Sequence, residues 1–331
     1  MSDFAIAIMD SKAYQLIQTD RNLQYNVYYV KATKQSTTLV FVHGFPNSSY
    51  DWRYQVAFFT KLGYGVVVPD MLGYGGTDKP LDYTLYAHSL VANDIVNIID
   101  HLDVQGPLVA VGHDWGAPVV GRLANNHQDR FAAFGFLSIG YQIPNATATY
   151  EEIIKENKRL YGRQLFGYWD FLSEEDATEL IKQHYESFMD LWLAYTATSI
   201  NKISEIGGFR PYLLQDIHDP RPDYLTPEEA KTTKLIFHKS GIKAPLNWYK
   251  VVRSDLDREE ASKIPKESYQ VNKPVFYARA LNDWIAIPAL FDSSMAYTPQ
   301  LTIRDYEAAH WVHWEKRDEL NHDLKKWLEA L

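Results

Sequence analysis

Three short apolar runs constrain the architecture of this chain most strongly: Thr38–Val42, Gly65–Val68 and Leu108–Val111. Each is short, rich in valine or leucine, and bounded by Gly, Pro or a polar residue. Uninterrupted runs of this length suit strands covered on both faces. Between the last two lies Leu85–Leu102, in which Leu90, Val91, Ile95, Ile98, Ile99 and Leu102 recur at helical spacing. Strands alternating with helices predict a mostly parallel sheet with helices on both sides. Two earlier segments, about Ala13–Gln18 and Leu23–Lys31, have the Tyr/Val/Ile content of half-exposed strands.

The rhythm continues through a helix over Trp115–Asn126 and a strand over Phe131–Ile139, then breaks after Pro144. From about Asn145 to Ile264 the pattern is helical, as in Glu174–Tyr195, with no buried strand of comparable quality. Alternation resumes at Pro274–Ala280, at Leu301–Tyr306 and in a closing helix of about Arg317–Leu331. The expected organisation is an α/β core of residues 1–144 and 265–331, interrupted by a helical cap over 145–264. A length of 331 residues fits such an insertion, because it exceeds the size at which one core usually stops growing.

Composition removes whole classes of function. With 33 basic and 42 acidic side chains the formal charge is −9, and no long basic run is present, so neither nucleic acid nor a membrane surface is an expected partner. The absence of cysteine excludes disulfide frameworks, thiolate zinc sites and cysteine nucleophiles. No stretch reaches the length of a membrane helix, and Met1–Asp20 lacks the pattern of a signal peptide. A soluble, cytoplasmic protein is expected.

Gly112-His113-Asp114-Trp115-Gly116 follows the strand Leu108–Val111 and opens a helix. It has the form of a nucleophile elbow with aspartate where many hydrolases carry serine. The turn lifts Asp114 out of the sheet and aims a helix N-terminus at it, which favours the ionised, attacking carboxylate. An Asp that merely caps the helix would produce the same five residues. Context favours the elbow. His43-Gly44-Phe45-Pro46 closes the strand Thr38–Val42, where this architecture supplies one oxyanion-hole N–H, and the residue after the nucleophile supplies the other. Phe45 and Trp115 are thus the candidate main-chain donors. Asp70-Met71-Leu72-Gly73-Tyr74-Gly75-Gly76 lacks the spacing of a phosphate loop and reads as a turn.

Together these three motifs resemble the α/β-hydrolase superfamily, specifically its soluble epoxide hydrolase branch. The resemblance spans nearly the whole chain, including Pro245-Leu246-Asn247-Trp248-Tyr249 in the helical insertion. It implies a nucleophile–acid–histidine order along the chain. His310 follows the last strand and is the candidate base, although His313 and nine other histidines compete. A His310/His313 metal pair lacks both a His-Glu-x-x-His pattern and an obvious third ligand, so no metal or other cofactor is expected. Asp283, after the strand Pro274–Ala280, is the candidate acid, and Phe131–Pro144 offers no acidic alternative.

The same resemblance implies two cap tyrosines that hydrogen-bond an epoxide oxygen as its ring opens. Tyr249 matches one; Tyr168, in Phe166-Gly167-Tyr168-Trp169, matches the other, with Tyr161 in reserve. Trp115, Phe45 and Trp169 are the expected pocket walls, and the expected partner is a small apolar or aryl epoxide with water. Two alternatives stay open: a haloalkane or haloacid dehalogenase of the same fold, and a non-catalytic ligand receptor. The haloalkane enzymes often carry Asn or another halide-binding residue at the position of Phe45, and the haloacid enzymes an arginine at that of Trp115. A homodimer is a further open partner.

Overall fold

A computed structural model of the chain describes residues 9–331. The reading of Met1–Asp20 therefore falls partly on residues 1–8, outside the described residues. Eight strands form one sheet: β1 (Tyr14–Gln18), β2 (Gln24–Val30), β3 (Thr38–Val42), β4 (Gly65–Pro69), β5 (Leu108–His113), β6 (Ala133–Leu137), β7 (Val275–Ala280) and β8 (Leu301–Tyr306). Their spatial order is β1-β2-β4-β3-β5-β6-β7-β8. The first two pairings, β1 with β2 and β2 with β4, are antiparallel; all later ones are parallel. The apolar runs became central strands because every residue of β3, β4, β5 and β6 is buried, so each must be apolar on both faces.

Helices α1 (Arg53–Leu62), α2 (His88–His101) and α3 (Gly116–Asn126) pack against the sheet before the alternation breaks. The expected start of α2 at Leu85 is three residues early. Asp82 accepts from the Thr84 N–H at 2.9 Å and caps a separate 3₁₀ turn, Tyr83–Tyr86, and Ala87 is extended, so the helix begins anew at His88. Between β6 and β7, nine α-helices occur among the described residues. They are α4 (Tyr150–Tyr161), α5 (Tyr168–Leu172), α6 (Ala177–Gln183), α7 (Tyr185–Ala194), α8 (Ala197–Ile203), α9 (Phe209–Leu214), α10 (Pro227–Ser240), α11 (Asn247–Arg253) and α12 (Leu256–Ser262). The expected helix Glu174–Tyr195 is in fact α6 and α7, broken where His184 leaves helical geometry. The chain closes with α13 (Val312–Glu315) and α14 (Arg317–Leu328). Among the described residues no helix is long and apolar enough to cross a membrane.

One buried ion pair ties the helical segment to the core. Thr226-Pro227-Glu228-Glu229 starts α10 as a capping box: the Glu229 N–H donates to Thr226 Oγ1 at 3.2 Å, and the Thr226 N–H donates to Glu229 Oε2 at 3.0 Å. The same carboxylate accepts from Arg53 Nε of α1 at 3.1 Å and from the Tyr54 hydroxyl. Burial works to raise the Glu229 pKa, but Tyr54, the Thr226 N–H and Arg53 outweigh it and hold it near 2, against 4.5 for an ordinary glutamate. A depressed carboxylate contributes stability above its unfolded pKa that is lost as pH falls through the folded one. Acid unfolding between about pH 4.5 and 2 is therefore expected to be less steep in Glu229→Gln than in the parent. At pH 7, Glu229→Ala strands Arg53 without its counter-charge and is expected to cost about 3 kcal/mol in urea unfolding.

Candidate active site

Strand register assembles the site. Val42 of β3 pairs with Gly112 of β5, so the His43–Pro46 loop lies beside the elbow. Phe45, Asp114, Asp283 and His310 all follow the C-terminal ends of parallel strands, the edge where open α/β sheets place their ligands. Asp114 itself has φ +50°, a left-handed conformation that costs energy for a residue with a Cβ. Two glycines make the close approach possible. A Cβ on Gly116 would overlap the Val42 carbonyl oxygen, and one on Gly44 would overlap Asp114 Oδ1.

The Asp114 carboxylate uses its two oxygens differently. Oδ1 accepts from the Phe45 N–H at 2.7 Å, while Oδ2 faces His310 Nε2 at 3.3 Å. Behind the imidazole, His310 Nδ1 lies 2.7 Å from Asp283 Oδ2. The other oxygen of Asp283 accepts from the Tyr195 hydroxyl at 2.7 Å and from the Ile285 and Ala286 N–H groups at 3.0 and 2.9 Å. The structure thus brings Asp114, Asp283 and His310 into one line.

Electrostatics follow from this burial and pairing. Burial would raise the pKa of Asp114; His310 and the Phe45 N–H outweigh it and hold the carboxylate below its usual range. Asp283 is lowered in the same way, against burial, by His310, Tyr195 and the Ile285 N–H. For His310, burial works downward, but Asp283 and Asp114 hold the imidazolium up to about 10. Two other histidines near the site, His43 and His313, are of another kind. His43 Nε2 accepts from the Met71 N–H at 2.9 Å and Nδ1 lies against the Gly44 carbonyl at 2.8 Å, which demands a neutral ring, and burial lowers its pKa to about 4. His313 is fully buried with no hydrogen-bond partner on either nitrogen among the described residues, and packs 4.3 Å from the His113 ring.

A cavity of about 200 Å³ opens over Asp114, between the core and the helical segment. Core residues Phe45, Trp115 and His310 form one side; Tyr168, Trp169, Trp192, Tyr195 and Tyr249 form the other. Tyr168 and Tyr249 are both buried, with ring centroids 5.9 Å apart. Burial, followed by neighbouring phenol and carboxylate charge, pushes both phenols well above their ordinary pKa, so they stay protonated. Tyr161 ends α4 half-buried and does not line the cavity. Tyr249 is aimed by its neighbour: Trp248 Nε1 donates to the Leu72 carbonyl at 3.0 Å, fixing α11 over the loop after β4.

Four further contributors carry no signature of their role in the sequence. Tyr195 holds Asp283 and is one of 23 tyrosines. Ser138, just after β6, donates to the His310 carbonyl oxygen at 2.6 Å, and His113 Nε2 at the end of β5 lies 2.9 Å from the same oxygen, so the ends of two central strands hold the His310 backbone. Glu315, one turn beyond His310, accepts from the Ala309 and Trp311 N–H groups at 2.9 and 3.2 Å.

An eight-stranded α/β sheet carrying an aspartate elbow and an Asp–His pair at its C-terminal edge agrees with what sequence comparison finds: the chain belongs to the alpha/beta hydrolase fold family, which it matches over residues 37–317. Among curated relatives, it is 28% identical to the bifunctional epoxide hydrolase 2 of Rattus norvegicus over 290 residues, covering 87% of this chain and 51% of that one. It is 27% identical to the epoxide hydrolase srdG of Neurospora crassa, covering 89% of this chain and 87% of the relative. The chain spans about half the length of the mammalian bifunctional relatives it matches. Among solved structures, an epoxide hydrolase from an endophytic Streptomyces superposes with a TM-score of 0.80 at 24% identity, covering 96% of this chain and 95% of that one. One from Vigna radiata superposes with a TM-score of 0.78 at 21% identity, covering 97% and 99%.

Proposed function

We propose that this protein hydrolyses an epoxide to a vicinal diol through an alkyl ester on Asp114. The observation that carries the reading is the pair of protonated phenols, Tyr168 and Tyr249, in the same cavity as an ionised aspartate elbow. An epoxide needs both a nucleophile at carbon and a proton at the departing oxygen. The names of the relatives support the same activity.

In the first step Asp114 Oδ2 attacks a ring carbon and the C–O bond breaks, its electron pair going to oxygen. One tyrosine gives that oxygen its proton as the second holds it. Oδ1, resting on the Phe45 N–H, becomes the ester carbonyl oxygen. Before the second step His310 passes its proton to the phenolate; its Nε2 then takes a proton from water, whose oxygen attacks the ester carbonyl carbon. Charge then develops on Oδ1 and is held by the Phe45 and Trp115 N–H groups. Collapse breaks the bond between the carbonyl carbon and Oδ2, which leaves in the diol with the second proton of the water. The water oxygen completes the Asp114 carboxylate, and His310 is again the imidazolium of the resting site.

The pKa of His310 suits this order. Its elevation depends in part on the negative charge of Asp114. Esterification removes that charge, so the imidazole becomes less basic as it is needed as a neutral base. The helical segment 145–264 acts in this reading as a cap that contributes both phenols and closes the cavity. Outside its polar centre the cavity is walled by Phe45, Trp115, Trp169, Trp192 and Phe291, which suits a small uncharged aryl or alkyl epoxide.

A second reading has one observation in its favour. The indole nitrogens of Trp115, Trp169 and Trp192 are buried without hydrogen-bond partners among the described residues, and indole N–H groups can hold a leaving halide. A single assay separates the two: diol formation from a racemic aryl epoxide, with halide release from a bromoalkane on the same preparation. Diol without halide is the expected result; halide without diol would transfer the assignment to a dehalogenase. Within the epoxide reading, Tyr168→Phe or Tyr249→Phe is expected to slow ester formation about tenfold or more. Losing both should cost about 10²- to 10⁴-fold in single-turnover kinetics, since no acid then remains.

A further inference from the structure

We propose that Tyr195 is a positioning residue for the Asp283–His310 pair, and that it sets how strongly His310 acts as a base. The proposal deepens the hydrolytic reading above and rests on it.

Tyr195 touches both members of the pair from the side of the helical segment. Its hydroxyl donates to Asp283 Oδ1 at 2.7 Å, and its ring stacks on the His310 imidazole with centroids 4.9 Å apart and planes 19° apart. The residue ends α7 with φ +47°, a conformation an aromatic residue adopts only when its surroundings enforce it. Its own N–H is used in closing that helix, donating to the Leu191 carbonyl at 2.9 Å. The backbone strain, the stack and the hydrogen bond therefore serve one placement of the side chain.

The consequences for His310 are separable. A hydroxyl donating to the Asp283 carboxylate draws off part of its charge, which weakens the hold of Asp283 on the Nδ1 proton. The ring face restricts tilting of the imidazole and keeps Nε2 turned towards Asp114. The other charged or titratable groups around His310 are Asp114 on the elbow, His113 at the end of β5, His313 on α13, and Glu315 on the same helix. Tyr168 of α5 is the remaining phenol close to Tyr195. None of these contacts both Asp283 and His310 as Tyr195 does.

The test uses the full chain with isotope-labelled histidine, following the His310 imidazole by NMR as pH is varied. An Asp114→Asn background places a neutral amide where the esterified carboxylate would be; it is freshly prepared because the amide can hydrolyse back. Tyr195→Phe keeps the ring and removes only the donor. It is expected to raise the His310 midpoint by about half to one pH unit, because Asp283 becomes the stronger partner. With Asp114 intact, Tyr195→Phe is expected to slow ester hydrolysis about five- to tenfold and leave ester formation within about twofold. Replacing Tyr195 by 3-fluorotyrosine, a stronger donor of nearly the same shape, is expected to move the midpoint downward and serves if the Phe variant does not fold. An unmoved midpoint in either substitution overturns the proposal, whatever happens to thermal stability. Failure of the hydrolytic reading would show separately, as a parent protein that forms neither ester nor diol, while the substrate-free titration still reports on Tyr195.

Discussion

With His310 replaced by glutamine, the protein is expected to gain the mass of one epoxide molecule and release almost no diol. Nothing in the first step needs the imidazole as a base. Asp114 is held ionised, its Oδ1 accepts from the Phe45 N–H, and in the proposed mechanism the proton for the opening ring comes from a phenol. The second step loses the base that faces the nucleophile: His310 Nε2 is 3.3 Å from Asp114 Oδ2, whereas His43 and His113 are held neutral by burial and use nitrogens on backbone groups. Ester hydrolysis should fall by about 10²- to 10⁴-fold. Intact-protein mass spectrometry after brief exposure to epoxide, then peptide mapping of the adduct to Asp114, measures it. An adduct elsewhere, or steady diol release, would remove His310 from the role of base.

The Asp114→Asn variant is expected to lose activity more completely, on the order of 10⁴-fold or more, and to form no adduct. A neutral amide cannot displace a C–O bond, and the neighbouring carboxylate is not free to do so: Asp283 is committed to His310, Tyr195 and two backbone N–H groups. The same variant should lower the pKa of His310 from about 10, because one of the two charges holding it up is gone. Slow recovery of activity on storage would signal hydrolysis of the amide to aspartate, and freshly prepared protein is the control. Full activity in fresh Asp114→Asn protein would exclude the covalent route.

How legible was this in the sequence? The core strands were, to within two residues at each end. A strand buried on both faces must be continuously apolar, and β3 coincides with the run Thr38–Val42; at the sheet edge, β8 coincides with Leu301–Tyr306. The elbow was legible because its glycines answer to a local collision that any neighbour of that turn would meet. Helix limits were less so. The start of α2 is decided by Asp82 and the extended Ala87, and the break between α6 and α7 by the backbone at His184. Apolar spacing does not register either one.

Sequence alone determined the fold class and the short list of chemically capable side chains, since both depend on local constraints: alternation, a tight turn, a carboxylate before a helix. Only the tertiary structure decided which distant groups meet. It placed Tyr168 rather than Tyr161 in the cavity, set Tyr195 against Asp283 and His310, and put Ser138 beneath the His310 carbonyl. Tyr195 lies 88 positions from Asp283, and Ser138 lies 172 from His310. Partners so far apart are matched by packing of the helical segment and the strands at the sheet edge, and chain spacing carries no record of that packing.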